Sequence, residues 1–214
     1  MPRLSLAQLD AIPYVTETGY VLDPTKWERI EQLIAAEFVR SDHQVLELGG
    51  CYGLVSCVIN HNLQDPSRHV VVEPSVKVLP ALIGNRDSHQ ALFHVYCGVV
   101  ARQSAVIKGE GLERWTEPSS DGDIPHVTVD VLQQHYGLEF NCLVADCEGA
   151  LQQFIEDFPD LLDQLDTFLF ERDRELEAGA AQCNYAVIEE LLREKGFVQV
   201  RGGSHPIWKR KTSC

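Results

Sequence analysis

VLELGGCYGLVS (45–56) is the stretch from which the fold is read. Its first four residues close HQVLEL (43–48), an apolar-rich run without alternation that reads as a strand buried on both faces of a sheet. Three glycines follow, Gly49, Gly50 and Gly53, and then a segment with helical spacing that reaches Asn62. A strand that turns into a helix through glycines lets backbone come close to a ligand. The next strand, HVVVE (69–73), ends in Glu73, twenty residues beyond Gly53. An acid at that tip can accept hydrogen bonds from both hydroxyls of a ribose, as doubly wound sheets do when they hold adenosine. The same residues also have a purely structural use. Gly49 and Gly53 permit a tight turn, and Glu73 caps the helix that follows.

The spacing separates the adenosine ligands. Dinucleotide sites carry G-x-G-x-x-G and seat a pyrophosphate on the helix N-terminus. Here the glycines are spaced G-G-x-x-G and are preceded by Glu47. A carboxylate facing the turn repels pyrophosphate and attracts a cation. S-adenosylmethionine (SAM) has a sulfonium, an ammonium and no phosphate, so the pattern fits SAM better than NAD. An NAD(P)-dependent oxidoreductase is the alternative, and a non-catalytic binding module on the same fold is a second.

Strands and helices alternate around this centre. Asp23-Pro24 opens a helix running to about Val39, with Trp27, Ile30, Leu33, Ile34 and Phe38 on one face. Residues 75–86 read as a helix interrupted by Pro80, and 92–97, 140–145 and 166–171 as strands. Helices are expected at 149–158 and 179–195. FVQV (197–200) and HPIWK (205–209) are joined by a glycine turn with no helix between them, so the last strand runs antiparallel. The expected class is α/β, a Rossmann-like doubly wound fold with a seven-stranded, mostly parallel sheet and a terminal antiparallel hairpin. Residues 1–42 are read as an N-terminal lead-in or helical lid element and 43–214 as the catalytic domain. The interval 100–127 reads as short strands and a mobile loop.

Eighteen Lys and Arg against 32 Asp and Glu leave a formal charge of −14, which repels phosphate backbones and argues against general nucleic-acid binding. No run of about 18 apolar residues is present, so no membrane span is expected. The first residues lack the apolar core of a secretory signal, and a cytoplasmic location is expected. The seven cysteines are odd in number and form no C-x-x-C, which suits buried, reduced thiols better than disulfides or zinc.

A second site is read at neighbouring strand ends. NCLVADCEGAL (141–151) ends a strand with Asp146 and Glu148, and DTFLFERD (166–173) ends the next with Glu171 and Asp173. Ligands of such sheets bind at the carboxyl ends of the strands. Paired carboxylates there can take a proton from a hydroxyl, hold a divalent cation such as Mg2+ through Asp146 and Glu171, or bind a substrate by hydrogen bonds. Asp146, Glu148 and Glu171 are the candidate catalytic residues. Against this, Asp146 can cap the next helix, with Glu148 in its first turn, and Glu171 and Asp173 can pair with Arg172 or Arg174. Thr128-Val129-Asp130, with Gln133 after it, is a capping pattern, so Asp130 reads as structural. His61, His94, His126 and His135 read as core or surface, and Cys147 as core.

Together these residues resemble the FkbM family of SAM-dependent methyltransferases. Its first motif, roughly D-x-G-A-N-x-G, is matched by Glu47-Leu48-Gly49-Gly50-Cys51-Tyr52-Gly53, and its F-E-P by Val72-Glu73-Pro74. Its T-x-D is matched by Thr128-Val129-Asp130, and its K-x-D-x-E-G-A/H by Ala145-Asp146-Cys147-Glu148-Gly149-Ala150. The resemblance covers about residues 43–200. Cys51 stands where the family often has Asn, and Ala145 replaces a frequent Lys, removing a charge. The resemblance implies methyl transfer from SAM to a hydroxyl of a sugar, glycan or small molecule. Gly49 and Gly53 then admit the cofactor, with Glu47 near its amino-acid end and Gly50 and Cys51 among the cofactor-binding residues. Glu73 falls at the ribose, with Pro74 beside it among the cofactor-binding residues, and Val72, Cys97, Gly98 and Val99 border the adenine.

Overall fold

The computed structural model describes residues 3–110, 113–147, 149–172 and 183–211. The chain divides into two compact units, the first ending at Cys97 and the second beginning at Gly98. The first contains α1 (Leu6–Leu9), β1 (Tyr14–Val15), β2 (Val21–Leu22), α2 (Arg29–Phe38), β3 (Val45–Leu48), α3 (Leu54–Asn62), β4 (His69–Glu73), α4 (Leu79–Ser88) and β5 (His94–Cys97). The second contains β6 (Val99–Val100), β7 (Ala105–Glu110), β8 (Glu113–Pro118), β9 (His126–Val127), α5 (Val129–Tyr136) and β10 (Cys142–Ala145). It continues with α6 (Leu151–Asp157), α7 (Leu161–Gln164), β11 (Thr167–Phe170), α8 (Tyr185–Glu194), β12 (Phe197–Arg201) and β13 (Ile207–Arg210).

Seven strands form one mostly parallel sheet in the order β12-β13-β11-β10-β3-β4-β5. β3, β4 and β5 pair in parallel, Val45 beside His69 and Val70 beside His94. β10 and β11 pair in parallel, while β13 runs antiparallel to both β11 and β12. Every residue of β3, β4 and β11 is buried, which is why these strands read as apolar runs without alternation. The terminal hairpin is as expected. No helix among the described residues is long and apolar enough to cross a membrane.

The lead-in packs within the first unit. Tyr14 and Leu22 share one buried cluster with Tyr52, Leu54, Val71, Leu82 and Phe93. Its helix differs from expectation. Asp23 accepts from Thr25 N at 3.0 Å and caps only a turn, and Glu28 takes a left-handed φ of 48°, so α2 starts at Arg29. The expected apolar face is also split. Ile34 is buried, but Trp27, Ile30 and Leu33 are 39%, 49% and 49% exposed. The buried Gln32 explains the rotation, because its amide must reach the carbonyls of Pro24 and Trp27 in the preceding turn. Pro80 begins α4 rather than interrupting it, where its missing N–H costs nothing.

In the second unit the interval read as short strands and a loop does hold strands, the antiparallel hairpin of β7 with β8 and the parallel pair β6 with β9. α7 is a single turn that the periodicity did not announce. Arg210 fastens the end of this unit. Its guanidinium donates to the carbonyls of Leu162, Leu165 and Lys195 at the ends of α7 and α8, and lies 4.6 Å over the Phe197 ring.

None of the described cysteines is in a disulfide; Cys57 and Cys142 are buried, and Cys147 is half-buried rather than core. His89 is a buried histidine with a titratable consequence. Its ring stacks on Tyr14 at 3.8 Å and its Nδ1 lies 2.7 Å from the Asn85 carbonyl. Burial, the largest influence, holds its pKa below the ordinary 6.5. The unfolded chain therefore binds this proton more readily, and stability rises with pH across the window below 6.5. Melting temperature should fall as pH drops from 6.5 toward 5, and His89→Gln should flatten that part of the profile.

Candidate functional site

The first unit presents three consecutive parallel strand tips. β3 ends in the turn at Gly49, which takes φ of 91°, and Gly53 at φ of 81° starts α3, with Cys57 N donating to Gly53 O at 2.9 Å. Gly50 has no room for a side chain, because a Cβ there would lie 2.5 Å from Val71 Cγ1. At Gly53 it would lie 2.9 Å from Leu82 Cδ1. The glycines thus do two things: they bend the chain, and they let the turn settle on β4 and α4.

Glu73 meets this turn at the tip of β4. One carboxylate oxygen accepts from Cys51 N at 2.9 Å and the other from Ser75 N at 2.8 Å, and the residue is 6% exposed. Its position is therefore set by two backbone donors on either side of the tip. Glu73 does not cap α4, whose N-cap is Val78; its two oxygens hold the Cys51 and Ser75 amides instead. Cys51 adopts a φ of 41°, a left-handed conformation unusual for a side-chain-bearing residue. Pro74 is half-buried beside Glu73. Cys97 ends β5 in register with Glu73. Burial raises its thiol pKa first, and the Glu73 carboxylate adds to the rise. Val72 is buried within β4.

Glu47, at the third position of β3, is tied inward. It is 2% exposed, with Oε1 accepting from Ser56 Oγ at 2.9 Å and Oε2 2.8 Å from His69 Nε2. His69 is fully buried. This carboxylate joins β3, α3 and β4 from inside. No sequence spacing announces His69 as its partner.

In the second unit, Gly98 is buried and Val99 opens β6, held by Val99 N donating to Pro125 O at 2.9 Å. Asp146 and Glu171 follow the paired ends Ala145 and Phe170 of two parallel strands. Glu171 N donates to Ala145 O at 2.9 Å, continuing the ladder past the last paired residues. The two acids thus stand on adjacent strand ends, where strands are about 4.8 Å apart. Both are half-buried. Glu148 and Asp173 lie outside the described residues. Arg172 pairs with Glu189 of α8. Glu171 instead faces His205, Nε2 to Oε1 3.5 Å, and His205 Nδ1 lies 2.8 Å from Ser204 Oγ. Sequence reading passed over His205, because nothing in the segment before β13 shows that it will lie beside the end of β11.

Thr128 caps α5, its hydroxyl accepting from Val131 N, and Asp130 sits exposed in the first turn. Gln133 does not complete a capping box; its side chain accepts from Phe140 N at 2.9 Å. His61 is a core residue, its Nε2 2.8 Å from His89 O.

No protein-family model and no curated protein matches this sequence. Solved structures do match its fold. A candidate tRNA (m1A22) methyltransferase of Streptococcus pneumoniae is similar over 87% of this chain and 72% of its own, with a TM-score of 0.50 and 13% identity. The same enzyme in complex with S-adenosyl-L-methionine covers 86% and 74%, with a TM-score of 0.50 and 12% identity. A candidate O-methyltransferase of Klebsiella pneumoniae covers 86% and 80%, with a TM-score of 0.50 and 8% identity. The chain has the Rossmann-like fold of the class I SAM-dependent methyltransferases.

The glycine contacts make opposite predictions along one stretch. Gly50→Ala should destabilise by about 1–3 kcal/mol, the usual cost of forcing an atom into a packed site. Gly84, inside α4, has nothing within 4 Å of a Cβ, so Gly84→Ala should stabilise by about 0.5–1 kcal/mol. Thermal melts of both variants check the pair.

Proposed function

We propose that this chain is a SAM-dependent O-methyltransferase whose acceptor is a hydroxyl of a sugar, a glycan or another small molecule. The observation that carries the reading is the glycine turn folded onto the Glu73 carboxylate at the tip of β4. That carboxylate is oriented by backbone before any ligand arrives, which lowers the ordering cost of binding a ribose. The fold shared with methyltransferases supports it, one of them described in complex with SAM. The resemblance of these residues to the FkbM motifs favours a hydroxyl acceptor. So does the carboxylate pair Asp146 and Glu171, since convergent carboxylates suit hydroxyl recognition.

In this reading the acceptor oxygen attacks the methyl carbon of SAM in line with the C–S bond. The new O–C bond forms as the C–S bond breaks, and the sulfonium leaves as a neutral thioether. SAM already carries a good leaving group, so alignment of the reactants supplies much of the rate. The hydroxyl proton goes to Asp146 or Glu171. The all-oxygen donors of this pair also suit Mg2+, which would orient a diol when bound. Glu47, committed to Ser56 and His69, takes a supporting part beneath the turn.

Calorimetric titration with SAM, S-adenosylhomocysteine and NADH tests the cofactor. Micromolar binding of both SAM ligands, lost in Glu73→Ala and absent for NADH, is expected. NADH binding without SAM binding would establish the oxidoreductase instead. Asp146→Asn should then lower kcat on a sugar acceptor by about 10²–10⁴-fold, the usual weight of a general base, while leaving SAM affinity within a few fold. Activity retained with EDTA present would exclude the magnesium role.

A further inference from the structure

The lead-in carries no recognisable motif, yet one buried side chain wires it to the glycine turn. Asn85 of α4 is 2% exposed. Its Oδ1 accepts from Val15 N at 2.9 Å, and its Nδ2 donates to Val15 O at 3.0 Å and to Tyr52 O at 2.9 Å. One amide group therefore serves both backbone groups of a β1 residue and a carbonyl of the turn. A second tether runs from the Tyr52 hydroxyl to Glu17 Oε2 at 2.7 Å, between the turn and the loop joining β1 to β2. The Tyr52 ring is 5% exposed and packs with Tyr14 and Leu22 of the same hairpin. On the opposite flank Cys51 N is held by Glu73, and Cys51 itself has a φ of 41°. A residue in that conformation keeps it only while its surroundings over-determine it.

We infer that the β1–β2 hairpin, acting through Asn85 and Glu17, is a clamp that holds residues 51–53 in the shape that receives the cofactor. Asn85 and Tyr52 are then positioning residues, and the lead-in is part of the cofactor half of the protein. The consequence for the cofactor rests on the reading proposed above; the clamp on the turn does not.

Amide hydrogen exchange reads the clamp directly. The Cys51 amide is bonded to Glu73 and the Gly53 amide to Gly50 O at 2.8 Å, so both report the shape of the turn. Asn85→Ala removes the first tether and Glu17→Ala the second. Glu17 is exposed, so its variant folds even where Asn85→Ala does not. Val39→Ala, at a buried position after α2, serves as a control for general loss of stability. Exchange at residues 51 and 53 should quicken by about tenfold or more in the tether variants relative to the control, as for a local opening. Glu17→Gln, which keeps an acceptor for the Tyr52 hydroxyl, should restore protection. Exchange no faster than in Val39→Ala would overturn the clamp. Affinity for S-adenosylhomocysteine should weaken about tenfold in Glu17→Ala; unchanged affinity would overturn the link to the cofactor. If the unmodified protein binds neither SAM ligand, the cofactor reading falls, and the exchange data alone decide the clamp.

Discussion

The close approach of the β3–α3 turn to β4 is the constraint on which the first unit depends. Gly50 rests against Val71, Gly53 against Leu82, and the Cys51 amide against Glu73. Each contact needs the others. Leu82 reaches Gly53 only if α4 is seated, and α4 is seated partly through Asn85 and His89, which hold the lead-in. A side chain added at Gly50 would push the turn away from the strand tip that aims Glu73. The geometry of the candidate cofactor site and the stability of the unit are therefore set by the same few atoms.

Beneath that turn lies a polar group that the fold cannot leave half made. Glu47 sits among buried strands with Ser56 and His69 as its partners. Burying a carboxylate is costly, and removing one member of such a group leaves the rest uncompensated by about 3–5 kcal/mol. Its use is positional. The three residues come from β3, α3 and β4, so one network fixes the register of two strands and the helix between them.

The second unit uses the same sheet for a different purpose. Parallel pairing of β10 with β11 delivers Asp146 and Glu171 to adjacent ends, and the reversed β13 brings His205 back to Glu171. Arg210 closes the unit by taking carbonyls from two helix ends at once. An acid pair near a histidine is a chemical opportunity as well as an architectural one. The two uses agree because sheet edges end where ladder hydrogen bonding stops and side chains become available.

Most of the architecture was readable from local pattern. Apolar runs marked β3, β4 and β11, glycines marked the turn, and a hairpin without a helix marked the reversed last strand. These signals are local because strand burial and turn geometry act over a few residues. Local pattern failed where a distant partner decided the outcome. The face that α2 turns inward follows from Gln32 reaching back to its preceding turn, not from the spacing of Trp27, Ile30 and Leu33. Glu47 has a histidine 22 residues away as its partner, which no spacing in the sequence announces. Asn85 and Val15 are 70 residues apart, and no periodicity connects them. The sequence by itself determined the layered α/β plan and the acids at the strand tips. Tertiary structure alone decided which of those acids are spent on holding the protein together, because a buried polar group must be paired and only the folded chain shows its partner.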